Sequence, residues 1–114
     1  NNKLRLNAIA DFKKINSIYN DYLEMINTNL VFSIKKISSK YVELDSYYFA
    51  SLNVNLSLKI LDILIKHVHN GKIYLKYAKI ENIYNNLINA KPQFRSQNTI
   101  FKCFFEKIVI YKLN

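Results

Sequence analysis

The run Thr99-Ile100-Phe101-Lys102-Cys103-Phe104-Phe105-Glu106-Lys107-Ile108-Val109-Ile110-Tyr111-Lys112-Leu113 alternates with the period of a strand. Thr99, Phe101, Cys103 and Phe105 fall on one side, and Ile100, Lys102 and Phe104 on the other. Beyond Glu106-Lys107, Ile108, Ile110 and Lys112 alternate with Val109, Tyr111 and Leu113. This predicts a β-hairpin over about 99–113. Both faces carry apolar residues, so the hairpin needs a covering layer, either a helix or a neighbouring domain. Glu106-Lys107 is poor chemistry for a two-residue turn, which favours Asn-Gly or a relative, so the turn does not fix the register.

Upstream of the hairpin the period changes to that of a helix. Ile80, Ile83, Tyr84, Leu87 and Ile88 sit at i, i+3, i+4, i+7 and i+8, predicting a helix over about 77–90 that Lys91-Pro92 ends. Leu56, Ile60, Leu61, Leu64, Ile65 and Val68 form a wide apolar stripe over about 54–69. Asn53 or Asn55 can cap that helix, Asp62 precedes Lys66 by four residues, and Asn70-Gly71 stops it. A third stripe, Ile9, Phe12, Ile15, Tyr19, Tyr22, Leu23, Ile26 and Leu30, predicts an amphipathic helix over about 8–30 with Asn7 as its cap. Between these helices, Val31–Ile34 and Tyr41–Leu44 are rich in β-branched and aromatic residues. They read either as short strands or, for the first, as an extension of the helix. The expectation is a mainly α (α+β) single domain over 1–114, with three principal helices and a C-terminal hairpin.

Lys and Arg number 17 against 8 Asp and Glu, a formal charge of +9. Such an excess favours a polyanion, nucleic acid or an anionic membrane, over a neutral metabolite. The abundance of Asn, Ile, Lys and Tyr beside scarce Gly, Ala, Arg and Pro also matches AT-rich codons, so number alone does not make a lysine functional. No apolar run reaches the roughly 18 residues of a spanning helix, and Asn1–Ala10 has no apolar core of a signal peptide. A lone Cys103 suits a reducing, cytoplasmic compartment. The start at Asn1 suggests a piece of a longer protein. A single glycine, Gly71, excludes Gly-rich phosphate loops.

No catalytic or metal constellation emerges. His67 and His69 are two apart on a helix and lack companion ligands, and Cys103 lies among bulky apolar residues as a structural thiol does. No pair of carboxylates stands out for acid–base work. The Gly71–Lys79 segment is more informative, because Lys72, Lys76 and Lys79 surround the start of a helix. Positive charge there opposes the helix dipole, whereas a phosphate would be welcomed by both the lysines and the free N–H groups. Tyr74 can stack on a base, and Arg95 and Lys102 complete the candidate nucleic-acid contacts; clustering of the five cations on one face supports nucleic-acid binding over a scaffold role.

The order of these elements resembles the domain that follows the catalytic domain in tRNA(Ile)-lysidine synthetases. Leu58–Val68 with Asn70-Gly71 is similar to that family's apolar helix and its glycine stop, and Tyr74-Leu75-Lys76-Tyr77 occupies its turn. Thr99-Ile100-Phe101-Lys102-Cys103 is similar to its strand motif at the first and last residues, and Ile108–Leu113 to its closing strand. Asn2-Lys3-Leu4-Arg5 begins a segment compatible with the helix that leaves the catalytic domain. Phe101 and Lys102 stand where the family has glycines, Leu113 where it has an acid, and the turn lacks the family's prolines. The resemblance implies an accessory tRNA-binding domain, with tRNA and an N-terminal catalytic domain as partners. The parent enzyme would be a cytoplasmic ATP-dependent ligase that attaches lysine to the wobble cytidine. The family's Ser/Gly-rich ATP loop is absent, so this segment itself would hold no cofactor and no catalytic residue, and pairing with a second copy is left open. The alternative is a small helical protein-interaction or scaffold domain whose charge reflects codon usage.

Overall fold

The computed structural model describes residues 2–113, with the side chains of residues 10, 11 and 13–113. A long helix, α1 (Asn2–Ser33), runs directly into β1 (Ile34–Ser38), which pairs through the Ser39-Lys40 turn with β2 (Tyr41–Asp45). Asp45 closes that strand and caps the short α2 (Ser46–Ser51), its carboxylate accepting from the Tyr48 N–H at 2.9 Å. Then come α3 (Val54–Val68), α4 (Tyr77–Ile88), β3 (Gln93–Ser96), β4 (Thr99–Cys103) and β5 (Lys107–Lys112). The strands form one antiparallel sheet in the order β1-β2-β5-β4-β3.

This corrects the expectation of three principal helices with a lone C-terminal hairpin. The hairpin is real, but β2 pairs with β5 along its whole length and β3 flanks β4, giving four helices and a five-stranded sheet among the described residues. The physical reason is the apolar content on both hairpin faces. Phe101 and Ile110 need a core, and β5 has a free edge that β2 fills with Val42 and Leu44. The two-residue turn between β3 and β4 is Gln97-Asn98, with φ of 51° and 59°, the left-handed pair that suits the twist of a tight hairpin. The β4–β5 link is one residue longer than expected. Phe104 N–H closes it on the Lys107 carbonyl at 2.9 Å, and Phe105 is lifted out to 83% exposure rather than joining the Phe101 side.

The core lies between one face of the sheet and α3. Ile60, Leu61, Leu64, Ile65 and Val68 of α3 meet Val42, Leu44, Phe101 and Ile110, with Phe49 of α2 and Ile83 of α4 closing the sides. Asn53 caps α3, its side chain accepting from the Asn55 N–H at 2.9 Å. At the other end Gly71 N–H reaches the Lys66 carbonyl at 2.7 Å and Asn70 N–H the His67 carbonyl at 3.0 Å, with left-handed φ of 55° at Asn70 and 76° at Gly71. The same pair of bonds ends α4 at Ile88, Lys91 to Asn86 and Ala90 to Leu87, before Pro92 is reached.

The first helix differs most from its sequence pattern. Its axis begins at Asn2, so Asn7 lies within it rather than capping it. Every described side chain from Lys13 to Met25 is exposed, including Ile15, Tyr19, Tyr22 and Leu23 of the expected core stripe; Ile9 and Phe12 lie outside the described side chains. Among the described side chains of α1, those of the last turns pack down, with Ile26 buried and Leu30 half-buried.

Candidate nucleic-acid interface

The register of the sheet decides which side chains face away from the helices. Phe94, Phe101, Ile110 and Val42 form one cross-strand row on the core side. The rows on either side of it therefore point outward. One is Arg95, Ile100, Tyr111, Tyr41; the other is Gln93, Lys102, Val109, Glu43, Lys36. Ile100 and Val109 are 7% and 6% exposed although they face outward, as expected where long amphipathic side chains lie along apolar ones. A shallow groove of about 360 Å³ runs over this face, lined by Tyr41, Lys102, Phe104, Lys107, Val109 and Tyr111.

Cations and rings are interleaved there. Lys102 Nζ stands over the Tyr111 ring at 5.4 Å from its centre, and Lys107 Nζ over the Phe104 ring at 5.5 Å. Two carboxylates border this face: Glu106 is exposed in the β4–β5 link, and Glu43 is engaged. Glu43 Oε1 accepts from Tyr41 Oη at 2.6 Å and from Lys107 Nζ at 3.1 Å. The hydrogen bond from Tyr41, then that from Lys107, holds the Glu43 carboxyl below its ordinary range, and the same bond raises the Tyr41 phenol. Lys36 and Lys107 flank Glu43 directly, and Lys102 and Arg95 extend the positive charge across β4 and β3 on the same face.

A second basic group surrounds the start of α4. Lys76 is its N-cap residue, with extended φ and ψ and no side-chain capping bond, and no acidic residue lies in the first turn. Lys72, Lys76 and Lys79 are all exposed. So are Tyr74, at 82%, and Tyr77. The lysines spaced along the sequence are therefore gathered at one helix start, as their positions suggested.

The candidate contacts do not share one face. Lys72, Tyr74, Lys76 and Lys79 sit with α4 in the helical layer, whereas Arg95 and Lys102 lie on the opposite, solvent side of the sheet. The cations whose clustering on one face would favour nucleic-acid binding form two separate groups, because the β3–β4 hairpin turns Arg95 and Lys102 away from the core row of Phe94 and Phe101. Sequence reasoning missed Tyr41, Phe104, Lys107 and Tyr111 as a group. Two of them, Tyr41 and Tyr111, become neighbours only through the β2–β5 pairing.

Neither histidine stands free. His67 Nε2 donates to the Ser38 carbonyl at 2.8 Å and pins the β1–β2 turn. Thr99 Oγ1 donates to the Gln97 carbonyl at 3.0 Å, so it accepts from buried His69 Nε2 at 2.7 Å. Burial first, and the nearby Lys112 second, hold the His69 imidazole below its ordinary pKa. Burial likewise pushes the half-buried Cys103 thiol up, away from nucleophilic use. Among the described residues, no group of three or more His, Cys, Asp or Glu is placed to hold a metal ion.

No protein-family model matches the chain, and neither a curated protein nor a solved structure matches it. Among the described residues, no helix is long and apolar enough to cross a membrane.

Proposed function

We propose that the chain is an accessory tRNA-binding domain, of the kind that follows the catalytic domain in tRNA(Ile)-lysidine synthetases. The observation that carries this is the solvent face of the sheet. Cations from four strands are set there among aromatic rings, with the carboxylate of Glu43 already satisfied. Ring faces and positive charge together suit bases and phosphates, whereas an acidic protein would use the charge alone. The lysines at the start of α4 provide a second place for phosphate on a large, bent polyanion. Chemistry in this reading belongs to an N-terminal ATP-dependent ligase domain, in the cytoplasm. The domain needs no cofactor of its own.

The exposed stripe of α1 favours a second role alongside RNA binding. Ile15, Ile18, Tyr19, Tyr22 and Leu23 are each at least 39% exposed, more apolar surface than a solitary helix normally shows to water. In the leading reading the catalytic domain covers this stripe; in the alternative, a scaffold domain, a protein partner does. Filter binding with tRNA at several salt concentrations separates the two. The RNA reading requires binding that weakens steeply with salt and is stronger than the non-specific binding, with a Kd of about 10⁻⁴–10⁻⁶ M, that a basic scaffold domain gives.

A further inference from the structure

We propose that the groove on the solvent face of the sheet holds an unpaired segment of RNA, with one base stacked against Phe104 and another against Tyr111. This rests on the RNA-binding reading and narrows it from tRNA as a whole to single-stranded nucleotides at a named place.

The first ground is shape and lining. The groove of about 360 Å³ has Val109 in its lining, Tyr41 and Tyr111 toward one end, and Phe104 toward the other. A second depression of about 500 Å³, lined by Lys35, Glu43, Phe104, Phe105, Glu106 and Lys107, shares Phe104 and Lys107 with it. The two form a trough with a ring at their common border. Phe104 is 54% exposed and lies one residue past the end of β4, so its ring is available without any movement of the core.

Charge supplies the second ground. Lys102 over Tyr111 and Lys107 over Phe104 already place an ammonium beside each ring. Lys102 is a long flexible stem that can swing toward a phosphate and yield the face of Tyr111 to a base, whereas Lys107 stays paired with Glu43 beside the exposed Phe104 ring. The ion pair with Glu43 at 3.1 Å keeps the Lys107 stem beside the groove. A rigid duplex offers phosphates to such a face but hides its bases, so a pairing of ring and cation is used fully only by unpaired nucleotides.

The test is a titration of the whole chain with a short unpaired oligouridine, a duplex of the same length, and tRNA, at one salt concentration. The variants are Phe104→Ala, Tyr111→Leu and Tyr111→Phe, each checked for folding by its thermal transition. The expected result is a loss of about tenfold in oligouridine affinity for Phe104→Ala and for Tyr111→Leu, the size of one lost stack. Tyr111→Phe, which keeps the ring, stays within about twofold, and duplex affinity is equally unmoved by all three. Oligouridine binding that ignores both ring deletions, or falls in step with duplex binding, overturns the groove while leaving tRNA binding in place. Oligouridine binding that depends on the rings in a chain that ignores tRNA supports the groove and overturns the tRNA reading. A chain that binds none of the three overturns both.

Discussion

Replacing Phe101 by Ala tests the sheet at the position where its two hairpins meet. Phe101 is fully buried, belongs to the main core cluster, and lies in the cross-strand row Phe94, Phe101, Ile110, Val42. Its ring stacks on Phe94 with centroids 4.8 Å apart and planes 9° apart. Truncating a buried Phe costs about 3–5 kcal/mol, because the transfer free energy is lost and a cavity remains. The stack with Phe94 contributes about 1 kcal/mol of that. For a domain whose whole stability is about 5–15 kcal/mol, this is a large fraction. With a urea m-value of about 1.5 kcal/mol/M, a loss of 4 kcal/mol moves the midpoint down by about 2–3 M. Urea unfolding of Phe101→Ala, Phe94→Ala and the double variant, followed by circular dichroism, reads this directly. Because Phe94 is on an edge strand, its single truncation costs less, about 2 kcal/mol. The double variant falls short of the sum by about 1 kcal/mol. A midpoint for Phe101→Ala within about 0.5 M of the parent, or strict additivity, refutes both the register and the core drawn here.

Further tests address the backbone and the buried histidine. Gly71 has φ of 76° with nothing within 4 Å of where a Cβ would stand, so Gly71→Ala meets backbone strain and no clash. It should cost about 1 kcal/mol and lower the melting temperature by about 4 °C. A neutral or stabilising Gly71→Ala would contradict the left-handed ending of α3. His69 is held neutral by burial and by Lys112, below its ordinary value of 6.5. The unfolded chain therefore takes up a proton near 6.5 while the folded one does so only at lower pH. Stability is complete above that range and falls as the pH drops through 6.5 toward the folded value. Glu43, lowered by Tyr41 and Lys107, adds a separate loss below its ordinary 4.5. In a pH series of thermal transitions, His69→Gln flattens the first decline and leaves the second, and an unchanged first decline refutes the assignment.

Much of this fold could be read from the chain because its longer elements obey one period. The stripes of α3 and α4 are continuous, Asn53 caps where a cap was expected, and Asn70-Gly71 ends α3 with two left-handed residues. The shorter elements carry too little pattern. The six residues of α2 are less than two turns, and β3 has four residues beside Pro92. A break in register between Ile34 and Lys36 spoils the alternation of β1. The Gln97-Asn98 turn adopts left-handed angles without a glycine to announce them. The lysines at the start of α4 were legible because they are local. The groove was not, because Tyr41 and Tyr111 meet through a pairing of strands 70 residues apart in the chain, which no local window contains. The stripe of α1 was legible as apolar but not as exposed, since periodicity identifies a face and not the partner that covers it.

The central claim is tested most directly by measuring the affinity of the chain for tRNA as a function of salt. The parent is compared with Arg95→Gln/Lys102→Gln and with Lys72→Gln/Lys76→Gln/Lys79→Gln. Binding by four to six phosphate contacts predicts a slope of log affinity on log salt of about −3 to −5. The sheet-face double variant makes that slope shallower by about 2, and the α4 triple variant by about 2–3. Absence of binding, a flat salt response, or a slope that neither variant changes would contradict an RNA-binding role for these surfaces.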